Sequence, residues 1–338
     1  MNVPTSSLED SHFPVMLEEV INTCRPEEGG NFLDCTFGGG GYTEAILNFP
    51  NTHVTSFDRD KFVINIANNL KKKYPDRFKF YHEKFSNLDK VISKKNNIDY
   101  IIFDLGISSF QLMDLSRGFS FKSKDKIDMK MGLSAISAED VINNYEESKL
   151  KLILKIFGEE KEASRIAKNI SIARKNKKIE TVNQLVEIVE RSKKKNFQKK
   201  INVCTKTFQA LRIFVNKETT ELIKGIIKAA KVIKPGGKIV VISFHSIEDK
   251  IVKFFFSNYS SNKSKPSRYL PEDKNNQNIL FEDYDNSLMR PSENELKKNP
   301  ASRSAKLRYA LRNQNDFQNP IELELKFKKY LELEASND

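Results

Sequence analysis

The sequence predicts an α/β protein, a doubly wound sheet with a helical domain inserted into it. Its first third alternates short apolar strands with helices in the order βαβαβαβ, which is typical of a parallel sheet covered by helices on both faces. The chain then turns helical and charged, and the alternation resumes after Asn216. We therefore assign residues 1–112 and 217–338 to the sheet domain and residues 113–216 to the insert.

The first part of the sheet domain begins with a helix and continues through four strands. Apolar residues form one stripe at helical spacing at Met16, Leu17, Val20, Ile21 and Cys24. The elements that follow are the strand NFLDC, the helix YTEAILNF, the strand THVTSFD, the helix KFVINIANNLKKK, the strand RFKFYHEKF and, after a short helix, the strand IDYIIFDLG.

The insert and the second part of the sheet domain continue this pattern. The insert contains the helical stretches SAEDVINNY, EESKLKLILKIFGEEKEASRIAKNISIARK and TVNQLVEIVERSKKK. After it come the helix KETTELIKGIIKAAKVI, the turn KPGG, the strand KIVVISF, the helix SIEDKIVKFFF and a last strand in SAKLRYALRN.

The composition excludes several classes of protein. The 338 residues include 38% hydrophobic residues and no tryptophan, and no apolar run approaches the roughly 18 to 20 residues that span a bilayer. The polar start MNVPTSSLEDS does not have the pattern of a signal peptide, so we expect a cytoplasmic protein without membrane contact. Three separated cysteines, never in CxxC spacing, support neither a disulfide framework nor a zinc site, and we expect no metal.

The charge is that of a protein that binds a polyanion. The formal net charge is +12, and the segment Lys161–Lys200 carries 13 Lys and Arg against four Glu, a net of +9. A biased base composition also produces basic chains, so the clustering is more informative than the total. Basic side chains on phosphates release counterions, and the insert is therefore a candidate nucleic-acid surface.

The stretch DCTFGGGGYT forms the first strand-to-helix turn, where doubly wound folds bind nucleotides. Its glycines are expected to let a ligand reach the backbone amides at the start of the helix. Asp58 ends the second strand, 20 residues after Gly38. At this position an acidic residue accepts hydrogen bonds from the two hydroxyls of a ribose. Dinucleotides and S-adenosylmethionine share this layout.

Two further acids favour S-adenosylmethionine over a dinucleotide. Asp34 begins the glycine turn, where a carboxylate repels a pyrophosphate but attracts the ammonium and sulfonium of a methionine moiety. Asp104 ends the fourth strand on the same edge of the sheet. Three acids at strand ends thus favour a methyltransferase over a dehydrogenase.

A chain of motifs from His12 to about Leu311 resembles the bacterial 16S ribosomal RNA cytosine N4-methyltransferases. The motifs are HFPVMLEEV, DCTFGGGGYT, DRD, FSNL, DLGISSFQL, RGFSF, DMKM, GEEKEASRIAKNI, TFQALRIFVN, PGGKIVVISFHSIEDKIVK and SAKLRYAL. The resemblance implies a seven-stranded, Rossmann-like methyltransferase sheet with an inserted helical domain. It also implies S-adenosylmethionine as cofactor and a cytosine in the decoding region of the small ribosomal subunit as substrate.

The resemblance places cofactor contacts at Gly40, Gly41, Tyr42, Asp58, Phe85, Asp104 and Gln111. Phe85 is expected to lie against the adenine. The family has His, Pro, Arg and Arg where this chain has Tyr42, Phe110, Lys130 and Lys206. No catalytic residue is assigned, because Asp104 suits either the cofactor or the amine of the target base; we favour the cofactor.

The substrate side is less defined by the sequence. Phe110, Phe119 and Phe121 follow the fourth strand and suit either stacking on an extruded base or core packing. His245 is a substrate contact or a core histidine. The expected partner is 16S ribosomal RNA within the small subunit, and dimerisation is left open. The alternatives are a methyltransferase of another RNA or of protein, and a non-catalytic RNA-binding protein on the same fold.

Overall fold

A computed structural model describes residues 14–193, 202–262, 278–286 and 288–336. Six strands form one sheet in the order β3-β2-β1-β4-β5-β6, with β1 to β5 parallel and β6 antiparallel to β5. They are β1 (Gly30–Asp34), β2 (Thr52–Asp58), β3 (Phe78–His82), β4 (Ile98–Asp104), β5 (Ile233–Ser243) and β6 (Lys306–Leu311). The predicted doubly wound α/β class is confirmed. The expected seven strands are wrong for the described residues, where the sheet has six.

Helices cover the sheet and build the insert. Those before the insert are α1 (Leu17–Cys24), α2 (Gly41–Leu47), α3 (Ile64–Lys73) and α4 (Ser109–Met113). The insert contains α5 (Ala138–Asn144), α6 (Glu147–Phe157), α7 (Ala163–Asn176), α8 (Val182–Ser192) and α9 (Thr205–Asn216). The later helices are α10 (Glu218–Val232), α11 (Ser246–Asn258), α12 (Glu293–Lys298), α13 (Ile321–Lys326) and α14 (Lys328–Ala335).

The predicted turn KPGG lies inside β5 instead of before it. Ile233 pairs with Ile98, and Lys238 pairs with Tyr100, so β5 has more residues than its neighbour between these two pairs. Such an excess makes a bulge, and Gly236 takes up the positive φ of 79° that the bulge requires. The strand therefore begins earlier than its apolar run KIVVISF.

Two apolar cores lie on the two faces of the sheet. One joins α1, α2 and α3 to the sheet through residues such as Val20, Ile46 and Ala67. The other is larger and includes Phe103 of β4 together with Phe157 and Phe214 of the insert. The insert thus shares its core with one face of the sheet, and its boundaries at residues 113 and 217 remain a prediction.

The carboxyl ends of the five parallel strands meet at one edge of the sheet. The direction in which strands are added to the sheet changes after β3: β2 and β3 lie on one side of β1, and β4 lies on the other. This change of direction opens a crevice in which doubly wound folds hold ligands. Within the described ranges, no helix is long and apolar enough to cross a bilayer. His12, where the first motif begins, lies outside those ranges.

Candidate functional site

A cavity of about 340 Å³ lies at this edge and is bordered by residues that follow each parallel strand. They include Gly38 and Gly41 after β1, Asp58 at the end of β2, Phe85 after β3, Asp104 at the end of β4 and Phe244 after β5. The first turn of α10 closes another side with Glu218 and Glu221. The cavity therefore crosses the sheet edge from β3 to β5.

The glycines of the turn DCTFGGGGYT serve different purposes. Gly38 and Gly39 border the cavity, and Gly38 has a φ of +52°. A Cβ at Gly40 would lie 2.9 Å from the Phe37 ring, and one at Gly41 would lie 2.8 Å from Pro14. Gly40 and Gly41 thus make room for protein side chains. Gly41 still borders the cavity, whereas Gly40 is buried, does not border it, and is the N-cap residue of α2.

Asp58 is tied to the glycine turn by its own carboxylate. Its Oδ2 accepts from the Gly38 amide at 2.8 Å, and its Oδ1 accepts from the Asp60 amide at 2.8 Å. Burial raises the pKa of this carboxyl. Asp58 borders the cavity as predicted, and it also fixes the backbone on which the cavity depends.

Asp34 does not have the role that the sequence suggests. It is fully buried and is not among the residues that border the cavity. Its oxygens accept from the Thr43 hydroxyl at 2.7 Å and the Thr36 amide at 3.1 Å. Burial raises its pKa to about 6. The expectation that Asp34 faces a cationic ligand is wrong; this carboxyl ties β1 to α2.

Asp104 borders the cavity and has a carboxylate oxygen without a hydrogen-bond partner among the described residues. Its amide donates to the Thr36 hydroxyl at 2.7 Å, while its buried Oδ1 has no hydrogen-bond partner among the described residues. Burial, with the charges of Asp34 and Glu248, raises the pKa of its carboxyl well above the usual range. A cationic ligand beside Asp104 would favour the ionised carboxylate, which lowers its pKa, and would give Oδ1 a partner.

Tyr42, Gln111 and Phe85 all border the cavity, but their side chains differ in availability. The Tyr42 hydroxyl donates to the Val15 carbonyl, so the ring is part of the wall. Gln111 donates to Asp60 Oδ2 at 2.8 Å and accepts from the Ser108 amide at 3.0 Å, which occupies both ends of its amide. Phe85 presents its ring beside the cavity. Contact of these three residues with a cofactor remains a prediction.

Charged residues that were not predicted from the sequence line the insert side of the cavity. Arg212 forms a two-pronged ion pair with Glu218, at 2.8 and 2.9 Å. Glu221 and Glu248 also border the cavity. Glu218 and Glu221 are three residues apart at the start of a predicted helix, which places them on one helical face. That spacing was the available signal.

His245 supports Glu248 and is not among the cavity residues. Its Nε2 lies 3.0 Å from Glu248 Oε1, and its backbone amide donates to Glu248 Oε2 at 3.2 Å. Glu218, His245 and Glu248 have ligand atoms within 4.8 Å of one another, as a metal site requires. Arg212 already supplies a cation to Glu218, so this group does not need a metal. The absence of a metal remains a prediction.

Of the three candidate stacking rings, Phe119 belongs to the core and Phe121 is half-buried against it. Phe119 is buried beneath the Arg117 guanidinium, 5.3 Å from its ring centre. Phe121 packs edge-on against Phe208 at 6.2 Å. Phe110 is 38% exposed and remains a candidate for contact with a base.

The basic insert divides into paired and exposed lysines. Lys193 is buried and pairs with the buried Glu160, so it is not a solvated phosphate contact. Lys194 to Lys200 lie outside the described residues. On α7, one exposed face carries Arg165, Lys168 and Lys175, spaced three and seven residues apart.

Of the departures from the family pattern, Lys130 pairs with Asp128 at 3.5 Å and Lys206 donates to the Glu159 carbonyl at 2.8 Å.

Comparison with known proteins connects this architecture to one family. The sequence pattern of the MraW methylase family matches residues 9–313. The chain is 41% identical to the ribosomal RNA small subunit methyltransferase H of Ehrlichia canis over 304 residues, which are 89% of this chain and 99% of that protein. It is 42% identical to the protein of the same name from Bartonella bacilliformis, over 90% of this chain and 91% of the relative.

A crystal structure of a putative rRNA-methylase from Clostridium thermocellum is similar at a TM-score of 0.39, with 12% identity over 90% of this chain and 99% of that chain. The sequence relationship is much closer than this structural one. It extends along both parts of the sheet domain and through the insert. The chain belongs to the MraW methylase family.

Proposed function

We propose that this protein transfers a methyl group from S-adenosylmethionine to the N4 amine of a cytosine in the decoding region of 16S ribosomal RNA. The observation that carries the proposal is the cavity at the carboxyl edge of the sheet, where Asp58 and Asp104 end the two strands on either side of β1. The names of the relatives from Ehrlichia canis and Bartonella bacilliformis support ribosomal RNA of the small subunit as the substrate.

The order of strands gives a direction to the cofactor. Phe85 follows the outer strand β3, Asp58 ends β2, and the glycine turn and Asp104 follow β1 and β4 at the centre of the sheet. The adenine then lies at Phe85, the ribose at Asp58 and the methionine portion between Gly38 and Asp104. The free Oδ1 of Asp104 fits a cationic group there. When bound, S-adenosylmethionine supplies an electrophilic methyl group.

The residues beyond Asp104 are suited to positioning a weak nucleophile. The lone pair of a cytosine amine is delocalised into the ring, so the protein must hold its N–H groups and aim the nitrogen. Glu248 is fixed by the Phe244 amide at 2.8 Å and by His245, which gives this end of the cavity a rigid carboxylate. Alignment of reacting groups can contribute up to about 7 to 11 kcal/mol to a reaction. Asp104 remains either a cofactor ligand or the acceptor for the amine, and we favour the ligand.

We assign RNA backbone contact to the exposed basic face of α7. The variant Arg165→Glu/Lys168→Glu should bind the RNA more weakly. The slope of the logarithm of its binding constant against the logarithm of the salt concentration should also be smaller in magnitude, by about 0.7 for each single-strand phosphate contact that is removed. The matched control is Lys94→Glu/Lys95→Glu, because these exposed lysines precede β4 at the opposite edge of the sheet. Equal binding by the two variants would contradict the assignment.

We also propose that the protein acts in the cytoplasm on RNA within the small subunit, without a metal. Dimer formation is left open. The experiment incubates the protein with methyl-labelled S-adenosylmethionine and either naked 16S RNA or small subunits from cells that lack the gene. We expect labelled N4-methylcytidine from the subunits, and none with Asp104→Ala. Label in protein or in another nucleoside would favour the alternative methyltransferases. Binding without transfer would favour the non-catalytic alternative.

A further inference from the structure

Glu221 has a buried carboxylate oxygen without a donor. This residue lies in the first turn of α10, is 7% exposed and borders the cavity. Its Oε1 accepts from the Ser86 hydroxyl at 3.0 Å, whereas its buried Oε2 has no hydrogen-bond partner in the described part of the chain. Buried carboxylate oxygens without donors are costly, so this position suits a ligand that brings an N–H or O–H group.

The surroundings of Glu221 identify which end of the cavity it serves. Ser86 directly follows Phe85, and Gly225 lies one helical turn after Glu221 on α10. A Cβ at Gly225 would lie 2.5 Å from the Phe85 ring, so the ring packs directly on the face of α10 that carries Glu221. Lys228 donates to the Ser86 carbonyl and pairs with Asp89 at 2.9 Å, which holds this segment against α10. An aromatic ring and a carboxylate are thus fixed side by side.

We propose that Glu221 accepts a hydrogen bond from the exocyclic amine of the cofactor's adenine and makes the site select adenosine over inosine. The inference rests on the proposed function, which brings an adenosine moiety to Phe85. An ionised carboxylate only accepts hydrogen bonds. Adenine has an amine at the position where hypoxanthine has a carbonyl oxygen, so the same carboxylate attracts the first base and repels the second.

The competing role for Glu221 is to accept the amine of the target cytosine. The two amines offer the same donor chemistry, and position separates them. Glu221 is bonded to the segment after β3, whereas the amine must approach the methyl group near Asp104 of β4. Two strands, β2 and β1, lie between β3 and β4 in the sheet. The position therefore favours the adenine.

The experiment measures binding of S-adenosylhomocysteine and its inosine analogue, S-inosylhomocysteine, by calorimetry. We expect the wild type to prefer the adenosine compound by at least about a hundredfold, since sites built around a buried hydrogen bond discriminate strongly. Glu221→Gln should reduce this preference by about tenfold or more, because the amide can donate to the inosine carbonyl. The control is Glu83→Gln, a half-buried carboxylate on the same segment that bonds to Lys84 and Asn87 and does not border the cavity.

The outcomes separate this inference from the proposed function. A wild type that binds neither compound would contradict the proposed function. A wild type that binds both equally, or an unchanged preference in Glu221→Gln, would overturn the role of Glu221 while leaving the cofactor site in place. An unchanged preference with a lower kcat would assign Glu221 to the target amine instead. Should Glu221→Gln fail to fold, Glu221→Asp keeps the charge but withdraws it by one methylene, and its preference should also fall.

Discussion

Replacement of Asp58 should weaken both the fold and the cofactor site. The carboxylate accepts from the amides of Gly38 and Asp60, each at 2.8 Å, and these bonds fix the glycine turn to the end of β2. Asp58→Ala removes both acceptors and leaves two backbone N–H groups without protein partners. Asp58→Asn retains one acceptor oxygen and places an NH₂ group against the other amide.

The size of the effect follows from these two bonds. A hydrogen bond to a charged group contributes about 1.5 to 3 kcal/mol. Burial raises the pKa of this carboxyl, so desolvation offsets part of the gain and the lower end of the range applies. We therefore expect Asp58→Ala to lower the free energy of unfolding by about 3 kcal/mol and Asp58→Asn by about 1.5 kcal/mol. Loss of the ribose contacts should weaken cofactor binding by at least about tenfold.

Urea unfolding followed by circular dichroism measures the stability, and calorimetric titration with S-adenosylhomocysteine measures the binding. The matched control is Asp76→Ala, an exposed aspartate in the turn before β3. Wild-type stability in Asp58→Ala would refute the role assigned to its two backbone bonds. Reduced stability with wild-type affinity would leave Asp58 as a structural residue and remove it from the cofactor site.

Three further predictions concern other residues. Asp104→Asn should raise the KM for S-adenosylmethionine if Asp104 is chiefly a cofactor ligand; a fall in kcat alone would instead make it the acceptor for the amine. Burial raises the pKa of Glu334 from 4.5 to about 7, so the folded state holds a proton that the unfolded state releases. Wild-type stability should therefore fall by about 3 kcal/mol between pH 4.5 and 7 relative to Glu334→Gln, and parallel curves from urea unfolding would contradict this. Lys193→Met leaves the buried Glu160 without its cation and should cost about 3 to 5 kcal/mol in urea unfolding, with RNA affinity unchanged. Weaker RNA binding at wild-type stability would return Lys193 to the RNA surface.

The sequence predicts the fold well because local patterns carry most of the information. The alternation of strands and helices and the turn DCTFGGGGYT place Asp58 and Asp104 at strand ends on one edge of the sheet, where the structure has them. The seventh strand came from family resemblance, and six are present in the described ranges. The bulge in β5 was missed because Pro and Gly indicate a turn more often than an irregular strand.

The errors at the site come from contacts between distant parts of the chain. Ser86 and Glu221 are 135 positions apart, and no local pattern indicates that their side chains meet. Lys193 belongs to a run of lysines that suggests a solvated surface. It nevertheless forms an ion pair with Glu160, which lies in the connection between α6 and α7. Asp34 has the right residue type beside the glycine turn, but its partners Thr36 and Thr43 turn it inward. Burial and partners decide the role of a charged residue, and both depend on the tertiary structure.

The proposed reaction is methylation of a cytosine amine in small-subunit ribosomal RNA. The most direct measurement is nucleoside analysis of that RNA from cells with the gene, without it, and with the gene restored as wild type or as Asp104→Ala. We expect N4-methylated cytidine to disappear without the gene and to return with the wild type but not with Asp104→Ala. Unchanged N4-methylated cytidine in cells without the gene would contradict the proposed reaction.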